Sequence, residues 1–135
     1  MVTSLNNWMV DSGASIHICG DIRAFNYYTH MEKGMKIELI GGNLNPLSVI
    51  GKGQVILKLA SNNILILDDV FYIPNISPNV ISVSSLGKIG IRVLLAFDKI
   101  FLIKTNIFMG KGYCYEGIYL LECHEIFNNN IPRVI

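Results

Sequence analysis

Cysteine is scarce in this chain. The three present, Cys19, Cys114 and Cys123, are odd in number and widely spaced, which argues against a dense disulfide framework and fits a reducing, cytoplasmic setting. Charge is also thin: 16% of residues are charged, with 11 Lys and Arg against 10 Asp and Glu. The overall balance therefore predicts neither nucleic acid nor an anionic membrane as a direct partner. No apolar run approaches the roughly 18 residues needed to cross a bilayer, and even Ile91 to Phe97 is short and carries Arg92. No basic stretch leads into an apolar segment near Met1, so no secretory signal is expected, and Asn75-Ile76-Ser77 reads as a chance match to the glycosylation pattern. A sustained apolar period of 3.6 is missing as well, as is any fixed-period repeat, which excludes long amphipathic helices and solenoids.

What is present is apolar material: 51% of the 135 residues are hydrophobic and the mean hydropathy is +0.44, enough for the core of one folded domain. It comes in short β-rich segments separated by Gly, Asn and Pro, so the expected class is all-β. Trp8-Met9-Val10 is a short strand ending at Asp11. Met35 to Ile40 alternates and meets Gly41-Gly42, and after a turn-rich stretch Ser48-Val49-Ile50 leads through Gly51-Lys52-Gly53 into a strand over Gln54 to Leu59. Asn62-Asn63 separates that strand from Ile64 to Leu67, and Asp68-Asp69 precedes another over Val70 to Ile73, three consecutive strands in all. Ser77 or Asn79 is expected to cap one short helix through Ser82 to Leu86. Strands over 91–97 and 99–104, a Gly-rich turn at Gly110 to Gly112, a last strand over 117–121 and a linker-like tail complete the pattern.

The sharpest feature is Asp11-Ser12-Gly13-Ala14, directly after an apolar strand. Such a run arises by chance in about one chain in a hundred of this length, and alone it describes a strand-to-turn junction in which Asp and Ser bond local amides. The chemical reading is that peptide hydrolysis by carboxylates needs two of them sharing one proton. One deprotonates a water and the other protonates the scissile carbonyl oxygen. Ser12 would hold the loop and Gly13 would admit a close backbone approach. Asp21, Asp68, Asp69 and Asp98 all lack the following Ser/Thr-Gly pair, so one chain supplies half a dyad and a two-fold homodimer must supply the rest.

Context extends the motif. Trp8 to His17, then Asp69-Val70-Phe71-Tyr72-Ile73-Pro74 with Asn79-Val80-Ile81-Ser82-Val83, then Gly110-Lys111-Gly112 with Gly117 to Leu121, resemble the protease segment of Ty1/copia-type retrotransposon Gag-Pol polyproteins, a retropepsin-like aspartic peptidase family. The resemblance covers roughly residues 8 to 122. It implies a retropepsin-like acid protease barrel with a flap hairpin and one short helix, forming one half of a two-fold dimer. It also implies catalysis by Asp11, with Ser12, Gly13 and Ala14 supporting the active-site loop. Ile40, Gly41, Gly42, Val49, Ile50 and Gly51 fall in the flap that closes over an extended peptide, and Asn79 to Val83 pass beneath the catalytic loop. The implied substrate is the element's own polyprotein, cut in the cytoplasm or in virus-like particles, without cofactor, metal, membrane or direct nucleic-acid partner. The implied organisation is a linker over 1–7, a core over 8–97, a C-terminal β extension over 98–123 and a tail over 124–135. Two positions depart from viral members: Ser15 replaces a second aspartate that binds substrate backbone, and Asn43-Leu44-Asn45-Pro46 replaces a Gly-rich flap tip.

Three rival readings compete. His17, Cys19, Cys123 and His124 are soft metal ligands, but their pairs are spaced too tightly for a familiar zinc site. Cys19 with His17 pairs a thiol with a base and lacks a recognisable oxyanion hole. The third is a catalytically inactive or co-opted module that keeps the fold for binding or assembly.

Overall fold

The computed structural model describes residues 7–37 and 47–126, the side chains of 33–37 excepted. Among the described residues eleven strands run in chain order as β1 (Trp8–Asp11), β2 (Ile18–Cys19), β3 (Phe25–Ile37), β4 (Leu47–Leu59), β5 (Ile64–Tyr72), β6 (Asn79–Ser82), β7 (Ile91–Ala96), β8 (Lys99–Lys104), β9 (Ile107–Tyr115), β10 (Ile118–Leu121) and β11 (Cys123–Glu125). One helix, α1 (Val83–Lys88), lies between β6 and β7, and a 3-10 turn (Ile22–Ala24) precedes β3. The expected all-β class with one short helix is what the chain adopts.

The strands form one sheet in the order β11-β4-β5-β2-β6-β1-β10-β9-β8-β7, with β3 paired to β4. β10 runs directly into β11, which pairs with β4 at Cys123↔Leu59 and Glu125↔Leu57, so a continuous segment ties distant parts of the open sheet together and gives it a barrel-like form. The main core lies inside. Trp8, Phe25, Leu57, Leu59, Leu65, Leu67, Ile81, Leu86, Ile100 and Leu102 are buried together there. Each such side chain removed from water contributes roughly 1.5–3 kcal/mol. The alternation of β4, buried at every second residue from Val49 to Leu59, shows why: one face of the pleat sees the core.

Several expected breaks are absorbed into longer strands. Gly51-Lys52-Gly53 is strand interior, because the neighbouring backbone comes so close that a Cβ on Gly53 would overlap the Tyr27 carbonyl. Ile64 to Leu67 and Val70 to Tyr72 are one strand, with Asp69 at φ +52 in a bulge where the β4–β5 register shifts, a conformation Asp tolerates. Gly110 to Gly112 lie inside β9, pressed against Leu59 and the Leu120 carbonyl, rather than in a turn. The helix begins later than expected, because Asn79 to Ser82 are drawn into β6 by pairing with β1 and Ser82 becomes the cap. Phe25 to Gly34, without an obvious strand pattern, extends β3. The segment 98–123 supplies Ile100, Leu102 and Leu121 to the same core, and pairing continues into His124 and Glu125.

Candidate functional site

Asp11 is the last residue of β1, a strand with partners on both edges. β6 lies parallel along one side, in register from Trp8↔Asn79 to Asp11↔Ser82, and β10 runs antiparallel along the other at Met9↔Leu120. Alternation sends Trp8 and Val10 into the core and leaves Met9 and Asp11 half-buried on the opposite face. The chain then turns, and the Gly13 N–H donates to Asp11 Oδ1 at 2.8 Å. One carboxylate oxygen therefore anchors the turn. Ser12, Gly13 and Ser15 are exposed, Ala14 and Ile16 half-buried.

The loop is strapped to the junction of β6 and α1. Ser82 Oγ donates to the Ala14 carbonyl at 2.7 Å and accepts from the Ser85 N–H at 3.0 Å, so one hydroxyl both caps the helix and ties down the loop. Ser85 Oγ donates to the Ser15 carbonyl at 3.2 Å. The Ser82 N–H donates to His17 Nδ1 at 2.9 Å inside the protein. Accepting that bond requires an unprotonated Nδ1. Burial pushes the His17 pKa down to about 4 despite the opposing influence of Asp68 and Asp69. Within the segment Asn79 to Val83 it is Ser82 that bonds the loop, and nothing in the sequence marked His17 as a strut. Its partner lies 65 residues away.

The flap candidates divide. Ile40, Gly41 and Gly42 lie outside the described residues. Val49 is fully buried with Ile18, Ile73 and Val80, and Ala14 and Ile16 pack against the same cluster, so the start of β4 rests on the Asp11 loop. Ile50 is half-buried, and Gly51 sits against the Tyr28 ring. Of these three, Ile50 alone offers a side chain with free surface. Beside the loop a cavity of about 180 Å³ opens between Ser12, Val83, Val93, Leu95 and Tyr119, room for an apolar side chain. Of these residues, the sequence placed only Ser12 and Val83 near the active-site loop, whereas Val93, Leu95 and Tyr119 figured there as strand residues.

Cys19 and Cys123 are not poised as nucleophiles. Burial pushes the Cys19 and Cys123 thiols up to about 12, which keeps both protonated near neutrality. Cys19 donates to the Asp21 carbonyl at 3.5 Å. Among the described residues no three His, Cys, Asp or Glu side chains gather as a metal site. At the far end of β1, Trp8 Nε1 donates to Glu125 Oε2 at 2.9 Å in the interior.

Residues 8–91 match the family described as the Pol polyprotein, beta-barrel domain. The chain belongs to that family. The match runs from the first residue of β1 to the first of β7 and so contains the whole Asp11 loop and its supports. Among relatives, the beta-barrel domain is 34% identical over 119 residues to the retrovirus-related Pol polyprotein from transposon RE1 of Arabidopsis thaliana, covering 86% of this chain. It is 26% identical over 117 residues, 84% of this chain, to the corresponding polyprotein from transposon RE2 of the same plant. A putative transposon Ty5-1 protein of Saccharomyces cerevisiae matches at 28% over 81 residues, 60% of this chain and half of that protein. The chain spans 8% of the length of each Arabidopsis polyprotein. No solved structure matches. The domain is therefore homologous to a region of retrotransposon Pol polyproteins.

Proposed function

We propose that this beta-barrel domain is an aspartic endopeptidase subunit that hydrolyses peptide bonds in a retrotransposon polyprotein, its own included. The observation that carries the reading is the mounting of Asp11. Its carboxylate ends a strand paired on both edges, accepts from Gly13 and sits on a loop whose carbonyls are tied to Ser82 and Ser85. A carboxylate held this firmly and left partly exposed suits general acid–base work, which demands fixed geometry.

The chain has one Asp-Ser-Gly run, so the second carboxylate comes from Asp11 of a second copy across a two-fold axis. One member of the pair takes a proton from water and the other donates to the scissile carbonyl oxygen, which is possible because two close carboxyls share a single proton. The substrate lies as an added strand under the β3–β4 hairpin, with an apolar side chain in the cavity bounded by Ser12 and Leu95. Cleavage takes place in the cytoplasm or in particles assembled from the polyprotein.

The second reading, a binding or assembly module without turnover, draws on the family's description, which names an architecture and no activity. Purified protein assayed against a peptide library across roughly pH 4 to 7 separates the two. Cleavage that is blocked by statine inhibitors and lost in Asp11→Asn supports the peptidase. A folded dimer that leaves every peptide intact supports the module, and cleavage by Asp11→Asn sinks the dyad.

A further inference from the structure

The chain carries a formal charge of only +1, but its charge is unevenly placed. Residues 91–115 hold Arg92, Lys99, Lys104 and Lys111 against the single carboxylate of Asp98. These residues form the β7–β8–β9 meander at one end of the sheet. Its inner face is settled by burial: Ile91, Ile100, Leu102, Gly110 and Gly112 point to the core. The residues that alternate with them face outward.

Strand register arranges that outer face into three rows. Tyr113, Lys99 and Ala96 lie side by side in the first, Lys111, Phe101 and Leu94 in the second, and Phe108, Ile103 and Arg92 in the third. Each row thus holds one aromatic ring and one cation, and no row holds a carboxylate. The rings are accessible: Tyr113 is 42% and Phe108 48% exposed, and Phe101 lies 6.3 Å from Phe108 between ring centroids. Two acids border the face: Asp98, in the preceding turn, lies 3.9 Å from the Lys99 ammonium, and Glu122 donates its backbone N–H to the Lys111 carbonyl beyond the edge of the second row.

We infer that this face binds single-stranded nucleic acid, with bases stacked on Tyr113, Phe101 and Phe108 and phosphates neutralised by Arg92, Lys99 and Lys111. Rings interleaved with cations on an open sheet are what stacking combined with backbone neutralisation requires. A second copy of this chain is a poor occupant, because an isologous contact would lay one cationic face against another. An acidic polypeptide would satisfy the charges but leave the rings without flat partners. The proposal is independent of peptide cleavage, since the meander's outer face excludes the Asp11 loop.

The test is fluorescence anisotropy with a labelled oligouridine of about 15 nucleotides, using wild-type protein and Asp11→Asn. Both should bind equally at low salt and bind a duplex of the same length more weakly. Three phosphate contacts predict that log K falls with log salt at a slope of about −2. Phe108→Ser and Tyr113→Ser should each weaken binding roughly tenfold. The triple variant Arg92→Ala, Lys99→Ala, Lys111→Ala should weaken it further and flatten the salt slope, while Lys88→Ala on α1 leaves it unchanged. Matching thermal midpoints exclude misfolding of these surface variants. Four results would each overturn the proposal: no binding at low salt, an equal loss in Lys88→Ala, competition by polyglutamate as strong as by unlabelled oligouridine, or a dimer dispersed by Phe108→Ser while oligouridine binding is untouched.

Discussion

His17 and Ser82 are joined inside the protein by a hydrogen bond of 2.9 Å that a protonated imidazole cannot make. Because the folded pKa, about 4, lies below the ordinary value of 6.5, the unfolded chain takes up this proton first as the solution is acidified. The stabilisation is complete above pH 6.5 and is lost as the pH falls through 4, an effect on the order of 3 kcal/mol. Urea midpoints measured from pH 7 to 4 should drop more steeply for wild type than for His17→Gln. Parallel slopes would remove His17 from the account. A peptidase favoured by acid would therefore meet an acid limit set by its own loop support.

Ser82→Ala removes a helix cap and the tie to Ala14 in one step. A cap alone is worth about 1 kcal/mol and a further buried bond about as much again, so a loss near 2 kcal/mol is expected in denaturant titration. Ser85→Ala, which removes only the bond to Ser15, should cost less than half of that. If the two variants are equally stable, the Ser82 hydroxyl does not hold the loop.

Asp11→Asn should abolish cleavage while leaving the melting temperature nearly unchanged. Refolding wild type with an equal amount of Asp11→Asn should lower the activity per wild-type chain to about half, because mixed pairs carry one functional carboxylate. Undiminished activity in the mixture, together with a monomeric sedimentation profile, would contradict a shared dyad.

Trp8→Phe is predicted to cost about 3 kcal/mol, combining a lost bond to the buried Glu125 carboxylate with a small cavity. Truncation after Phe97 should go further and prevent folding, since it deletes β10, one of the two partners of β1, together with Ile100, Leu102 and Leu121 of the core. A soluble, cooperatively melting 1–97 fragment would show that the core over 8–97 stands alone.

Much of the fold could be read from residues in order. The alternation in Gln54 to Leu59 and the strand ending at Asp11 are local signals, and both survive in the structure. What sequence reasoning lost depends on neighbours distant in the chain. Gly51, Gly53, Gly110 and Gly112 look like turns from inside a short window, yet they are strand residues at which another backbone or side chain approaches too closely for a Cβ. Asn79 to Ser82 resemble a helix start until β1 is available to pair with them. Asp11 was legible through its motif. The bonds from Ser82 to His17 and Ala14 span 65 and 68 residues, and no local pattern could announce them.

The two-sided pairing of β1 also has a consequence in time. Asp11 leaves the ribosome ahead of both strands that flank it, and its own strand is complete only when β6 has arrived from residues 79–82 and β10 from 118–121. Closure over such separations makes for slow, non-local folding. During synthesis the motif is therefore chemically present well before it is geometrically assembled. A nascent chain ending short of Leu121 carries the aspartate without the scaffold that aims it.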